Sequence, residues 1–131
     1  MARRTLAEDL GGIAGMALAL SLAACDTRVK APDQPGVCYR VSVEAPASLK
    51  FTPISTADAN METCAAHLEY AWKDTHREVV GAYGGAFIFI DATGIRSGND
   101  LEGPQYQLLT PEGRLQIDQA IDAVRAAKAP R

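Results

Sequence analysis

A chain of 131 residues, 47% hydrophobic and 22% charged, is long enough for one ordinary domain and too apolar to read as intrinsically disordered. Its 13 basic and 16 acidic residues leave a net charge of −3, with no basic stripe. That balance argues against nucleic acid and anionic lipid headgroups as partners of the folded part.

The first stretch reads as a processing signal rather than as part of a fold. Arg3 and Arg4 give a positive start, the apolar run from Gly11 to Ala24 follows, and small residues precede Cys25. This is the three-part layout of a secretory signal. The run falls short of the roughly 20 residues that a helix needs to cross the hydrocarbon core. Leu22-Ala23-Ala24-Cys25 resembles the lipobox of bacterial lipoprotein precursors. The resemblance covers residues 1–25 and identifies a processing class, not an activity. It implies that residues 1–24 are removed, that Cys25 carries the lipid, and that the remainder is tethered to a membrane surface on the periplasmic side of a bacterial envelope. In that class the cysteine typically carries three acyl chains, and two lipid signals already suffice for stable anchoring. Asp26 at the next position is associated in enterobacterial members with retention in the inner membrane. Competing readings are an uncleaved anchor, a helix packed in a core, or a twin-arginine signal at Arg3-Arg4, which Thr5-Leu6-Ala7-Glu8 matches poorly.

Residues 25–36, with Pro32, Pro35 and Gly36, read as a flexible linker, followed by a single domain over 37–128. Assigning Cys25 to lipid leaves Cys38 and Cys64, an even pair that an oxidising compartment would join. The alternative is two buried thiols. A bridge closing a loop of about 25 residues contributes roughly 3–4 kcal/mol in the chain-entropy picture. The two cysteines lack the close spacing of structural zinc sites, and no histidine pair completes them, so no metal or cofactor is expected.

Val37, Tyr39, Val41 and Val43 alternate with polar residues as a half-buried strand, with Cys38 on the more polar face. Leu49-Lys50-Phe51 resumes an extended piece, which Pro53 confines to an edge or strand end. From Thr56 to about Arg77 the period becomes helical, with Met61, Ala65, Leu68 and Trp72 on one stripe. Ser55 or Thr56 is the expected cap and Asp58 a first-turn acid. Val79–Tyr83 and Ala86–Ile90, without alternation, suggest a central strand buried on both faces, with Gly81, Gly84 and Gly85 marking a turn or bulge between the two pieces. Asp91–Gly94 is a turn into Ile95–Ser97, Gly98–Pro104 is a loop, and Tyr106–Leu109 is a last strand. Thr110-Pro111-Glu112 opens a second helix, whose stripe of Ile117, Ala120, Ile121 and Val124 is narrow enough to lie on a surface. The order β-β-α-β-β-β-α predicts an α+β fold: a small antiparallel sheet, two helices packed on one face, and one disulfide.

Chemistry is sparse. His67 and His76 fall on opposite sides of the first helix and cannot share a metal. No G-x-S-x-G elbow is present, and Gly81-Ala82-Tyr83-Gly84-Gly85 lacks the lysine and following helix of a phosphate loop. Exposed Tyr70 and Tyr106, with Arg96, form the candidate partner surface. The expected function is a non-catalytic, lipid-anchored envelope protein binding a protein partner or membrane complex. The alternatives are an inhibitor or immunity-type lipoprotein, and a small envelope hydrolase using carboxylates near Asp91 and Asp100.

Overall fold

The computed structural model describes residues 29–44 and 48–130. The lipobox, Cys25 and the apolar run before it lie outside the described residues. The elements are β1 (Cys38–Glu44), β2 (Ser48–Ser55), α1 (Met61–Thr75), β3 (Val79–Tyr83), β4 (Ala86–Asp91), β5 (Gly94–Gly98), β6 (Tyr106–Leu109) and α2 (Pro111–Lys128). The strands form one antiparallel sheet in the order β2-β1-β3-β4-β5-β6. β2 and β3 run parallel to each other on either side of β1, and α1 makes the crossover between them. The fold is α+β as expected, with a strand more than the sequence order predicted.

The extra strand comes from the glycines between Val79 and Ile90, which make a turn, the first of the two readings, so that the two pieces counted as one strand form a hairpin. Gly84 and Gly85 sit at φ 58° and 82°, the left-handed pair that a two-residue turn between antiparallel strands requires. β3 and β4 therefore fold back on each other, pairing Tyr83 with Ala86 and Val79 with Ile90. Pro53 does lie on an edge strand, β2, and a register shift beside Cys38 and Tyr39 accommodates the extra residue there.

The first helix is shorter than its apolar period. Asn60, not Ser55 or Thr56, caps it, accepting from Thr63 N at 2.8 Å. Asp58 precedes the helix and is buried, its N–H donating to Gly36 O at 2.9 Å. At the other end His76 adopts φ 53° and donates its N–H to Trp72 O, which stops the helix before Arg77. The second helix starts where the sequence placed it, with Thr110 Oγ1 accepting from Gly113 N at 3.0 Å.

Alternation sorts the sheet into two apolar layers. The helix side holds Cys38, Val79, Ile88, Ile90 and Ile95, packed against Cys64, Ala65 and Leu68 of α1. Gly81 lets α1 come close, because a Cβ there would stand 2.2 Å from a Leu68 methyl and 2.8 Å from the Tyr39 carbonyl oxygen. Cys38 and Cys64 are joined by a disulfide that ties the start of β1 to the first turns of α1. Cys38 thus lies on the polar-looking face of its strand because that is the face α1 covers. The opposite side holds Tyr39, Val41, Ala82, Phe87 and Phe89, with Phe51, Leu101, Val37 and Ala31 packed on it. Residues 31–34, expected as linker, lie against this layer: Ala31 is buried, Pro32 O accepts from Gly85 N, and Gln34 Oε1 accepts from the Tyr39 hydroxyl.

Candidate functional site

The two helices meet the sheet differently. α1 buries Cys64, Ala65, Leu68 and Glu69, whereas α2 buries only Ile121. The sequence reading did not single out Glu69. It lies one turn from both Ala65 and Trp72, inside the apolar stripe, and a charge in that position signals a partner from another element. The partner is Arg114 in the first turns of α2. Its Nη2 donates to Glu69 Oε1 at 2.9 Å and its Nε donates to Oε2. Nη1 donates to the carbonyl of Asp91 at 2.6 Å, and the guanidinium stacks over Trp72, 4.5 Å from the ring centroid. One arginine thereby joins α2, α1 and the β4–β5 turn.

Beyond this anchor α2 lies over α1 through charges. Lys73 Nζ stands 3.2 Å from Asp122 and 3.9 Å from Asp118, and Arg125 pairs with Asp74 at 2.7 Å. Between the helices and the sheet runs an apolar groove of about 650 Å³. Its walls come from Leu68, Tyr70 and Ala71 of α1 and from Ile117, Ala120, Ile121 and Val124 of α2, while Arg40 and Ile54 reach it from the sheet. The narrow stripe of α2 is thus the wall of a groove, with Val124 still 47% exposed.

The three candidate surface residues do not converge. Tyr70 is 37% exposed and borders the groove, with its ring beneath the Arg125 guanidinium at 4.2 Å. Tyr106 is exposed on edge strand β6. Arg96 is committed elsewhere: Nη2 donates to Asp91 Oδ2 at 2.7 Å, Nη1 to Thr93 Oγ1 at 2.7 Å, and Nε to Gln105 Oε1 at 2.9 Å. It lines a second cavity, of about 610 Å³, beside the start of α2.

Asp91, one of the two carboxylates of the hydrolase alternative, is taken up in the β4–β5 turn. The Arg96 guanidinium, then the Thr93 hydroxyl and N–H, hold the Asp91 carboxyl well below the usual carboxylate range. Oδ1 also accepts from Thr93 N at 2.8 Å, the turn-forming bond expected of an aspartate there. Asp100 lies half-buried in the loop after β5, and Glu102 is exposed.

His76 is the cap of α1, its ring against Trp72. His67 is exposed on the same helix, and its Nδ1 faces Asp58 Oδ2 at 3.0 Å. Among the described residues, no helix is long and apolar enough to cross a membrane. No protein-family model, curated protein or solved structure matches this chain.

Proposed function

We propose that the chain is a lipid-anchored protein of the bacterial envelope, held by Cys25, whose domain binds a protein partner in the groove between its two helices. The observation that carries this reading is the groove itself. Ile54, Ile117, Ala120 and Val124 line it around the buried Ile121, and the aliphatic surface that Ile54 and Val124 leave in water favours burial against another apolar surface. The fitting occupant is an amphipathic segment with apolar anchors one turn apart, the usual way of filling a groove between two helices. Arg40 and Lys128 line the groove as well, and because its acid, Asp74, is already paired with Arg125, the two cations favour acidic residues flanking those anchors. Lipid attachment supports the same reading, since confinement to a membrane surface raises the effective concentration of a membrane-bound partner.

Mass spectrometry of the native product tests the anchor: the expected species begins at Cys25 and carries acyl mass, and a chain still beginning at Met1 overturns it. Co-purification from host membranes after mild solubilisation tests the groove. Val124→Glu is expected to deplete the partner, whereas Val43→Glu, exposed on the other side of the sheet, leaves its recovery unchanged. Cys25→Ala is expected to deplete a membrane complex. Equal recovery with Val124→Glu overturns the groove as the docking site.

A further inference from the structure

The neighbourhood of the disulfide holds more donors than a structural bridge needs. The potential ligand atoms of Cys38, Asp58 and His67 all lie within 4.8 Å of one another, and Cys64 is bonded to Cys38. Cys64 and His67 stand in C-x-x-H spacing on α1, one helical turn apart and so on one side of it, with only Ala65 and Ala66 between. Asp58 is held in place from three directions. Its N–H donates to Gly36 O, its carbonyl accepts from the Tyr83 hydroxyl at 2.7 Å, and Ser55 Oγ donates to Oδ2 at 2.6 Å. Donors of a tetrahedral zinc site stand roughly 3.5 Å apart, given metal–ligand bonds of about 2.0–2.3 Å, so Cys38, Asp58 and His67 need only small shifts, while Cys64, bonded to Cys38 but outside that group, joins them by turning its thiol once released. Cys64 lies one turn from the start of α1, where the helix dipole favours a thiolate.

We propose that Cys38, Cys64, Asp58 and His67 form a metal site gated by the disulfide, closed while the bridge is intact and able to take one zinc-class divalent ion once a dithiol has reduced it. The reductant supplies two electrons, which break the Sγ–Sγ bond, and two protons, one to each sulfur, and leaves as its own cyclic disulfide. Coordination releases both thiol protons to solvent as the two thiolates bind. His67 is the ligand open to solvent, so the ion enters from its side. Ser55 orients the Asp58 carboxylate, as hydrogen bonds beyond the ligands commonly do. His67 also lines the groove, but the inference rests on the ligand set and not on whether the groove takes a partner.

The test uses the full chain with Cys25→Ala in mild detergent, so that Cys38 and Cys64 are the only thiols released. It is reduced anaerobically with dithiothreitol, desalted, and titrated with Zn²⁺ against a chromophoric chelator. The expected result is one ion per reduced chain with Kd below about 1 µM, and at least roughly 100-fold weaker binding before reduction. Co²⁺ in place of Zn²⁺ gives sulfur-to-cobalt charge-transfer absorption. In the reduced chain His67→Ala and Asp58→Asn each weaken binding by about tenfold or more. Binding unchanged by His67→Ala means that two thiols act alone and overturns the site, as does equal uptake before and after reduction. If reduction unfolds the domain, recovery of the helical circular dichroism on adding Zn²⁺ supports the proposal, and a chain that stays unfolded overturns it.

Discussion

The two helices lie on the same side of the same sheet, yet different forces hold them. α1 is fixed by close apolar contact over Gly81 and by a covalent bridge to β1. α2 has one buried residue, one buried ion pair and a set of partly exposed charges. The apolar stripe of α1 is mostly buried against the sheet, whereas that of α2, Ile121 apart, is left facing a groove. A helix held mainly by polar anchors keeps its apolar side available, and this is what leaves a groove between them for the partner proposed above.

The sharpest way to break the comparison is to remove the α2 anchor. Arg114→Met leaves the carboxylate of Glu69, fully buried, without its counter-ion, a change that costs about 3–5 kcal/mol. The double variant Glu69→Leu with Arg114→Met is expected to recover most of that loss, since the unpaired buried charge is then gone. Denaturant titration of the three proteins checks this, and a double variant no better than the single one shows that the arginine acts through Trp72 or Asp91 instead.

α1 fails through its bridge. Reduction, or replacement of Cys38 and Cys64 by alanine, is expected to lower stability by about 3 kcal/mol, measured by the same titration under matched conditions. Next comes its close approach to the sheet. Gly81→Ala pushes against Leu68 and against main chain that cannot yield, with an expected loss of about 1–3 kcal/mol and a lower thermal midpoint.

How much of this was legible follows from where each residue's constraint originates. The α2 cap, the stripe of α1 and the pairing of Cys38 with Cys64 rest on local pattern and on counting, and the structure has all three. The β3–β4 hairpin was readable in principle, because Gly84-Gly85 is a two-residue turn, but continuous hydrophobicity on both sides resembled one buried strand. The start of α1 was not readable: whether Ser55, Thr56 or Asn60 caps depends on where Gly36 and Tyr83 draw Asp58. Arg96 looked like a surface cation because sequence spacing does not tell which residues a guanidinium will reach across a turn. The groove was half legible. The stripe of α2 announced a surface helix, but not that Ile54 and Arg40 would face it from the sheet.

A smaller effect separates the helices by their response to salt. Pairs such as Lys73–Asp122 and Arg125–Asp74 are partly exposed and contribute about 0.2–1 kcal/mol each. Raising salt to about 1 M shortens the screening length to roughly 3 Å and weakens them. Amide exchange in the C-terminal half of α2 is therefore expected to accelerate severalfold with salt, while that of Cys64–Leu68 in α1 stays constant. Equal responses in the two helices would show that α2 is held by apolar contact after all.

The smallest effect concerns the turn on which the α2 anchor rests. Arg114 uses the main-chain oxygen of Asp91, while the Asp91 side chain is held by Arg96 and Thr93. Because the folded carboxyl titrates below its unfolded counterpart, near 3.9, the native state binds fewer protons across that interval. The stabilisation is then complete above about pH 5 and is lost as the pH falls toward the folded value. Asp91→Asn keeps the carbonyl and removes only the charge. It should lower stability by about 1 kcal/mol or less at pH 7, as a partly exposed pair does, and the gap from wild type should narrow steadily below about pH 4. Urea titrations at pH 7, 5 and 3 measure it. A gap that persists undiminished at pH 3 would mean that the side chain acts through the shape of the turn, and so through α2, rather than through its charge.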